Sequence, residues 1–178
     1  MFKRLVPALI VIASLFAQSG AHAAMMAYLY LSGAKSGEIK GSVTQKGREN
    51  SIAVIAVDHE IKNDSSGKKH TVFTITKELD RSSPLLYQAL ATNEVLKGFR
   101  LQFWTPQIKA GTGVGSEVQH YTVTLNNARI VDIKFKMANI KNPELQKYTE
   151  YEEVSFVYES ISWTWNDGGI TASDSAKF

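Results

Sequence analysis

Alternation with a period of two recurs along this chain and leaves room for one convincing helix. Phe99, Leu101 and Phe103 alternate with Arg100 and Gln102. Thr71 to Leu79 places Phe73, Ile75 and Leu79 on one face, and Tyr121, Val123 and Leu125 make another. Successive side chains of a strand point to opposite sides, so this pattern describes strands with one covered face. Tyr28-Leu29-Tyr30-Leu31 suits a strand packed on both faces. Ile52 to Ile61 reads as a strand with Ile55, Val57 and Ile61 on one side. Val131, Ile133, Phe135 and Met137 form a face opposite Asp132, Lys134 and Lys136. Val154, Phe156 and Tyr158 begin a last long strand, which Ile161, Trp163 and Trp165 continue in the opposite phase. Such a change of phase marks a bulge, or a strand covered on both faces.

The connections carry their own signals. Asn63-Asp64-Ser65-Ser66-Gly67 is a turn cluster, because Asn, Asp and Gly tolerate or nucleate turn geometry. It joins the flanking strands into a long hairpin with a basic tip at Lys68 and Lys69. Ser82-Ser83-Pro84 opens the helix, since serine caps free backbone N–H groups and proline fits the first turn. Leu85, Leu86, Ala89, Leu90 and Val95 recur at helical spacing, and Lys97-Gly98 closes the segment. Pro106 to Ser116, with Gly111, Gly113 and Gly115, reads as a flexible loop, Asn126-Asn127 as a tight turn, and Asn139 to Tyr148 as a loop. Seven or eight strands with one interposed helix specify a mainly β fold, an antiparallel barrel or sandwich with the helix at its side.

The first residues stand apart from this pattern. Lys3 and Arg4 precede an apolar stretch from Leu5 to Phe16, and Ala21-His22-Ala23 has the small-x-small form that signal peptidases accept. An apolar run of about a dozen residues is too short for an ordinary membrane-spanning helix and has the layout of a secretory signal peptide. Cleavage is expected after Ala23, leaving residues 24–178 as a single domain. A permanent anchor helix, and a true start at Met25 or Met26, are the alternatives. The formal charge of +3 comes from 20 basic against 17 acidic residues, and Lys3 and Arg4 supply two of that excess. So small an excess does not describe a nucleic-acid binder.

Chemistry is hard to find in these residues. The chain has no cysteine, which excludes disulfides, thiolate metal sites and a cysteine nucleophile. His59, His70 and His120 are isolated along the sequence, without metal-ligand spacing, and read as structural or surface residues. The glycines from Gly111 to Gly115 precede a polar strand, whereas phosphate-cradling glycines lead into a helix. Gly67-Lys68-Lys69 lacks the Ser or Thr that follows lysine in a phosphate-binding loop. Glu150, Glu152 and Glu153 read as a solvated strand edge or an electrostatic contact rather than an acid–base pair. Trp163 and Trp165 suit a core or a subunit interface. No catalytic residue, metal or cofactor is expected.

Four stretches, in order, resemble the haemolysin-coregulated proteins (Hcp), tube subunits of the bacterial type VI secretion system. The C-terminal one is Tyr151-Glu152-Glu153-Val154-Ser155-Phe156-Val157-Tyr158, followed by Ile161, Trp163-Thr164-Trp165, Gly168-Gly169-Ile170 and Asp174. A second is Lys77, Asp80, Ser83-Pro84-Leu85 and Ala91, and a third is Tyr121-Thr122-Val123-Thr124-Leu125 with Ala128 and Ile130-Val131. The fourth is Tyr28-Leu29 to Gly33 with Gly37-Glu38-Ile39-Lys40-Gly41. The resemblance implies a compact β-barrel with a helix at its side and hexameric rings that stack into a tube. It also implies a spike protein, a sheath and effector proteins as partners, effectors in the ring lumen, no enzymatic activity, and secretion from the cell. Neither nucleic acid nor membrane insertion of the mature chain is expected. Asn63, Asp64, Gly67, Lys68 and Lys69 are the candidate subunit or ring contacts, because an exposed strand edge can pair with a neighbour.

One feature departs from that family. Tube subunits are expected to assemble in the cytoplasm and leave through the machine, where a Sec-type signal is out of place. A misassigned start, a variant exported to the periplasm for another use, and an unusual but functional tube protein all fit. A start at Met25 or Met26 would place the protein in the cytoplasm before firing, and a used signal in the periplasm. The other function class is a periplasmic or extracellular β-barrel binding module; an enzyme comes third and would need a convergent polar pocket.

Overall fold

The computed structural model describes residues 26–65, 67–107, 116–176 and 178. Ala23 with the rest of the expected signal segment, and Gly111, Gly113 and Gly115, lie outside them. The chain runs β1 (Ala27–Gly33), β2 (Gly37–Ile39), β3 (Ile52–Val54), β4 (Ala56–Asp58), β5 (Ile61–Asp64), β6 (Gly67–His70) and β7 (Phe73–Glu78). Helix α1 (Ser83–Ala91) follows, then β8 (Leu96–Gln107), β9 (Ser116–Asn126), β10 (Arg129–Lys136), β11 (Tyr151–Val157), β12 (Ser160–Trp165) and β13 (Ile170–Ser175).

All paired strands are antiparallel, in two main sheets. Seven strands follow the order β13-β12-β9-β8-β1-β2, with β3 also pairing β1, and four follow β10-β11-β7-β4. Of the two architectures the sequence admits, the fold is a sandwich, since hydrogen bonding among the described residues does not close into a barrel. One core fills the space between the sheets, with Leu29, Ile52, Leu101, Leu125 and Ile161 from the larger and Ile75, Val154 and Phe156 from the smaller, none exposed. Leu86 and Ala89 of α1 are buried in the same core, and Leu85 and Leu90 pack against it. The segment between β2 and β3 is strapped down by Arg48. Its guanidinium lies 4.8 Å from the Tyr28 ring and 4.1 Å from that of Trp104, with Glu117 accepting its hydrogen bond.

Several expected phases change where strands pass from one sheet to the other. The stretch 52–61 is not one strand: β3 pairs β1 in the large sheet, and β4 pairs β7 in the small one. Ile52 and Val54 therefore enter the core, while Ile55, Val57 and Ile61 stay exposed. On β10 a bulge between Ile130 and Asp132 leaves Val131 unpaired. The bulge turns Ile130 inward and Val131 outward, and Phe135 and Met137 run past the core and are exposed. The expected last long strand is two strands in different sheets, so the change of phase after Tyr158 marks a corner.

Three boundaries also move. Lys97-Gly98 lie inside β8 rather than at the helix end, since α1 stops at Ala91 and Asn93 turns the chain at φ 47°. Pro106 and Ser116 belong to β8 and β9, with Pro106 opposite Glu117. Strand β13 has no counterpart in the sequence reading: Ile170–Ser175 holds a single large apolar residue and pairs with β12 through a turn at Gly168 (φ 79°) and Gly169 (φ 67°).

Candidate assembly surface

The expected hairpin is present and stands off the sandwich. Among the described residues, strands β5 and β6 pair only with each other, in the register Ile61↔His70, Lys62↔Lys69, Asn63↔Lys68 and Asp64↔Gly67. Gly67 adopts φ 103°, a backbone conformation that side chains rarely allow, which gives the turn its glycine. The hairpin continues the β4–β7 ladder with an offset of one residue, since His59-Glu60 face the three residues from Thr71 to Phe73. An extra residue of this kind bends a ribbon, and here it separates the hairpin from the sheet below. Asn63, Asp64, Gly67, Lys68 and Lys69 are brought together as an exposed group. Lys69 lies 3.3 Å from Asp64 and Lys62 2.9 Å from Glu60, while Lys68 reaches across to Asp174 of β13.

The base of the hairpin is polar and closely packed. Tyr158, 3% exposed at the corner between β11 and β12, has its hydroxyl 2.5 Å from His59 Nε2 and 2.8 Å from His70 Nδ1. His70 Nε2 lies 3.0 Å from Asp174 Oδ2. Two histidines isolated in the sequence thus meet through a tyrosine on a third segment. His120 stays apart from them, its ring against that of Trp165. The Tyr158–His70–Asp174 series has the connectivity of a nucleophile, its base and an orienting acid. Burial, followed by the Asp174 charge, pushes the Tyr158 phenol up to about 12, which disfavours the ionised nucleophile. The hydrogen bond from Lys68, then that from His70, holds Asp174 below the usual carboxylate range.

A second polar cluster lies under the start of α1. Lys77 of β7 and Glu152 of β11 are both fully buried, with Nζ 2.8 Å from Glu152 Oε1 and 3.0 Å from Asp80 Oδ1. Nζ also donates to the Glu78 carbonyl at 2.8 Å and to Ser83 Oγ at 3.0 Å. Burial raises the Asp80 carboxyl, but the Ser82 hydrogen bond and the Lys77 ammonium outweigh it and hold the group below its ordinary 3.8. Glu152 is therefore an internal partner, and Glu153 points the other way to Lys136 at 2.5 Å. The two do not form a pair of catalytic carboxylates.

Three residues of the pre-helix likeness noted in the sequence and one of the C-terminal likeness meet in this cluster. Lys77, Asp80 and Ser83 come from one stretch and Glu152 from another, far apart in the chain. Gly33 and Gly41 of the N-terminal stretch mark close approaches. A Cβ on Gly33 would lie 2.2 Å from Glu94 Oε1, and one on Gly41 2.2 Å from the Ser51 carbonyl oxygen. Glu94 earns that space by accepting hydrogen bonds from the Ser36 and Lys35 backbone N–H groups, which lower its pKa.

A family model described as "Type VI secretion system effector, Hcp" matches residues 28–165. The chain belongs to the Hcp family. It is 32% identical over 165 residues to the major exported protein of Pseudomonas aeruginosa strain PAO1, covering 83% of this chain and 93% of that one. Its fold matches Hcp1 of E. coli EAEC 042 with a TM-score of 0.70 at 34% identity, over 87% of this chain and 100% of the other. Secreted protein Hcp3 of Pseudomonas aeruginosa matches with a TM-score of 0.72 at 30% identity, again over 87% and 100%. The Hcp homologues are the tube proteins of the type VI secretion system, a structural family with an exported member. Among the described residues of this Hcp chain no helix is long and apolar enough to cross a membrane. No group of three His, Asp or Glu among them is placed to hold a metal ion.

The sequence reading missed the polar base of the Hcp hairpin. His59, His70, Tyr158 and Asp174 lie on four segments, and no spacing rule links them. Lys77 and Glu152 did carry a signal: each takes an inward position in a strand whose other inward residues are apolar, and the two charges are opposite.

Proposed function

We propose that this chain is a non-enzymatic tube subunit that closes into hexameric rings, with the Ile61 to Thr71 hairpin seated on an adjacent subunit or ring. The observation that carries this reading is the hairpin itself, a two-stranded ribbon that among the described residues pairs with neither main sheet and is exposed except at His70. An isolated hairpin of this size is marginal in water, so a second surface that pairs with it supplies stability it lacks. Membership of a tube-forming family supports the same geometry, with spike, sheath and effector proteins as further partners and effectors held in the ring lumen. Deleting Asn63 to Lys69 is expected to abolish rings in negative-stain micrographs and leave a folded monomer. Intact rings would remove the hairpin from the interface.

We also propose that the protein leaves the cell and that cleavage after Ala23 separates a signal segment from a single domain, a departure from the route expected of tube subunits. Intact mass of the natural product distinguishes a first residue of Met1, Ala24, Met25 or Met26. A product starting at Ala24 is expected; one starting at Met1 in the soluble fraction defeats the cleavage.

A further inference from the structure

We infer that His59, Tyr158, His70 and Asp174 form a proton-operated latch that holds the β5–β6 hairpin on the sandwich and releases it when both histidines are protonated. The four groups come from four segments: the β4–β5 junction, the corner after β11, the end of β6, and β13. The side chain of His70 is 1% exposed and Tyr158 3%, so the middle of the chain of hydrogen bonds is closed to water, while His59 and Asp174 at its ends are partly exposed.

The protons can be assigned from what each group can donate. The Asp174 carboxylate only accepts, so His70 carries a hydrogen on Nε2. Neutral His70 then offers a lone pair on Nδ1, which accepts the Tyr158 O–H, and the Tyr158 oxygen accepts N–H from His59 Nε2. Every hydrogen has an acceptor. One further proton is tolerated: His70 donates from Nδ1 to the phenol oxygen, whose own hydrogen swings to His59 Nε2 once the neutral His59 ring has changed tautomer and carries its hydrogen on Nδ1. A second is not. Two imidazolium N–H groups would converge on one phenol oxygen, and the phenol hydrogen would have no acceptor in a buried site. The two cations would also sit with ring centroids 6.2 Å apart.

Among the described residues, the neighbouring charges only partly offset a second proton. Asp58 on β4 favours a charged His59. Asp174 is shared between His70 and Lys68 of β6. Glu60 is paired with Lys62, Lys69 with Asp64, and Glu159 accepts from Asn127. The rings of Phe73 and Phe178 cover the rest, 5.2 Å from His59 and from Tyr158 respectively. Burial first, then the neighbouring His70, lowers His59 from its ordinary 6.5. A released hairpin returns His59 to that ordinary value and so binds more protons than a docked one. Docking is therefore complete above the ordinary value and weakens as pH falls below it.

The test is backbone hydrogen exchange across residues 61–70 of the full chain, corrected for the intrinsic effect of pH. Between about pH 8 and about pH 5, opening of this segment is expected to rise several-fold as the histidines take up protons. In His59→Gln a neutral N–H donor replaces Nε2–H, and protection should stay high at both pH values. Protection that does not change with pH in the natural chain, or full pH dependence retained in His59→Gln, overturns the latch. Should His59→Gln fail to fold, NMR titration of the His59 ring in the natural chain decides: a midpoint below the free value supports the latch, and one at or above it sinks it. Consequences for ring assembly rest on the hairpin contact proposed above. Rings lost in acid with hairpin protection unchanged refute the latch alone. A released hairpin with rings intact supports the latch and refutes the contact.

Discussion

Replacing Lys77 by methionine is expected to lower the stability of the fold by about 3–5 kcal/mol, the range for stripping one partner from a buried ion pair. The ammonium is fully buried and holds Glu152 Oε1, Asp80 Oδ1, the Glu78 carbonyl and Ser83 Oγ together. Methionine fills a similar volume, so the loss is electrostatic rather than a cavity. Glu152 would keep Ser83 Oγ at 2.8 Å, but its charge would lie uncompensated in a site with no exposure. Asp80 would also lose a cation that keeps it ionised while it accepts from the Ser82 backbone N–H at 2.9 Å. The start of α1 should therefore loosen along with the β7–β11 pair. Urea or thermal melts measure the effect, and adding Glu152→Leu to Lys77→Met should recover much of it, because both charges then leave the core. A double variant as unstable as the single one would place the damage in packing instead. The pH profile gives an independent check. Asp80 contributes stability that is whole above its ordinary 3.8 and is lost as pH falls through its lower folded value, so the natural chain should lose it on acidification and Lys77→Met should lose less.

Periodicity located the centres of elements better than the places where they change partners. The faces of β8 and β9 were legible because both strands stay in one sheet through the core, with Phe99, Leu101, Val123 and Leu125 buried. The stretches 52–61 and 151–165 were not, because each crosses between sheets and a corner has no signature in two-residue alternation. Val131 shows the same limit at a bulge, since one extra residue reverses which side of β10 is apolar. The hairpin was legible from its turn chemistry at Asn63 to Gly67. Its polar base was not, because His59, His70, Tyr158 and Asp174 meet only once four segments, drawn from both main sheets and the hairpin, have folded together.

Phe99→Ala is expected to be the costliest of the simple core truncations, at about 3–5 kcal/mol for a buried phenylalanine, or roughly 10 °C in Tm for a chain of this size. Phe99 belongs to β8 of the large sheet and is 1% exposed. Its ring meets Phe73 of β7 at 5.6 Å and 82°, and Phe156 of β11 at 5.1 Å and 74°. Both are edge-to-face contacts, the arrangement aromatic quadrupoles prefer, so two such pairs add to the area removed from water. Phe73 and Phe156 are themselves directly opposite on adjacent strands, so one ring from the large sheet rivets two strands of the small one. Relaxation into the gap would have to slide the sheets, and the corner before β4 opposes that because Ile55 N–H is bonded to the Thr76 carbonyl at 2.9 Å. The cavity should therefore stay open and its full cost should appear in the melt. Phe99→Leu, which refills much of the volume without the ring geometry, should recover more than half of the loss. Equal melting of the alanine and leucine variants would show that aromatic contact, rather than volume, joins the sheets. The hairpin base is reached through the same ring, since Phe73 packs 5.2 Å from His59. Phe99→Ala should accordingly raise hydrogen exchange in residues 61–70 before global unfolding, whereas a truncation at Leu86 of α1 should not.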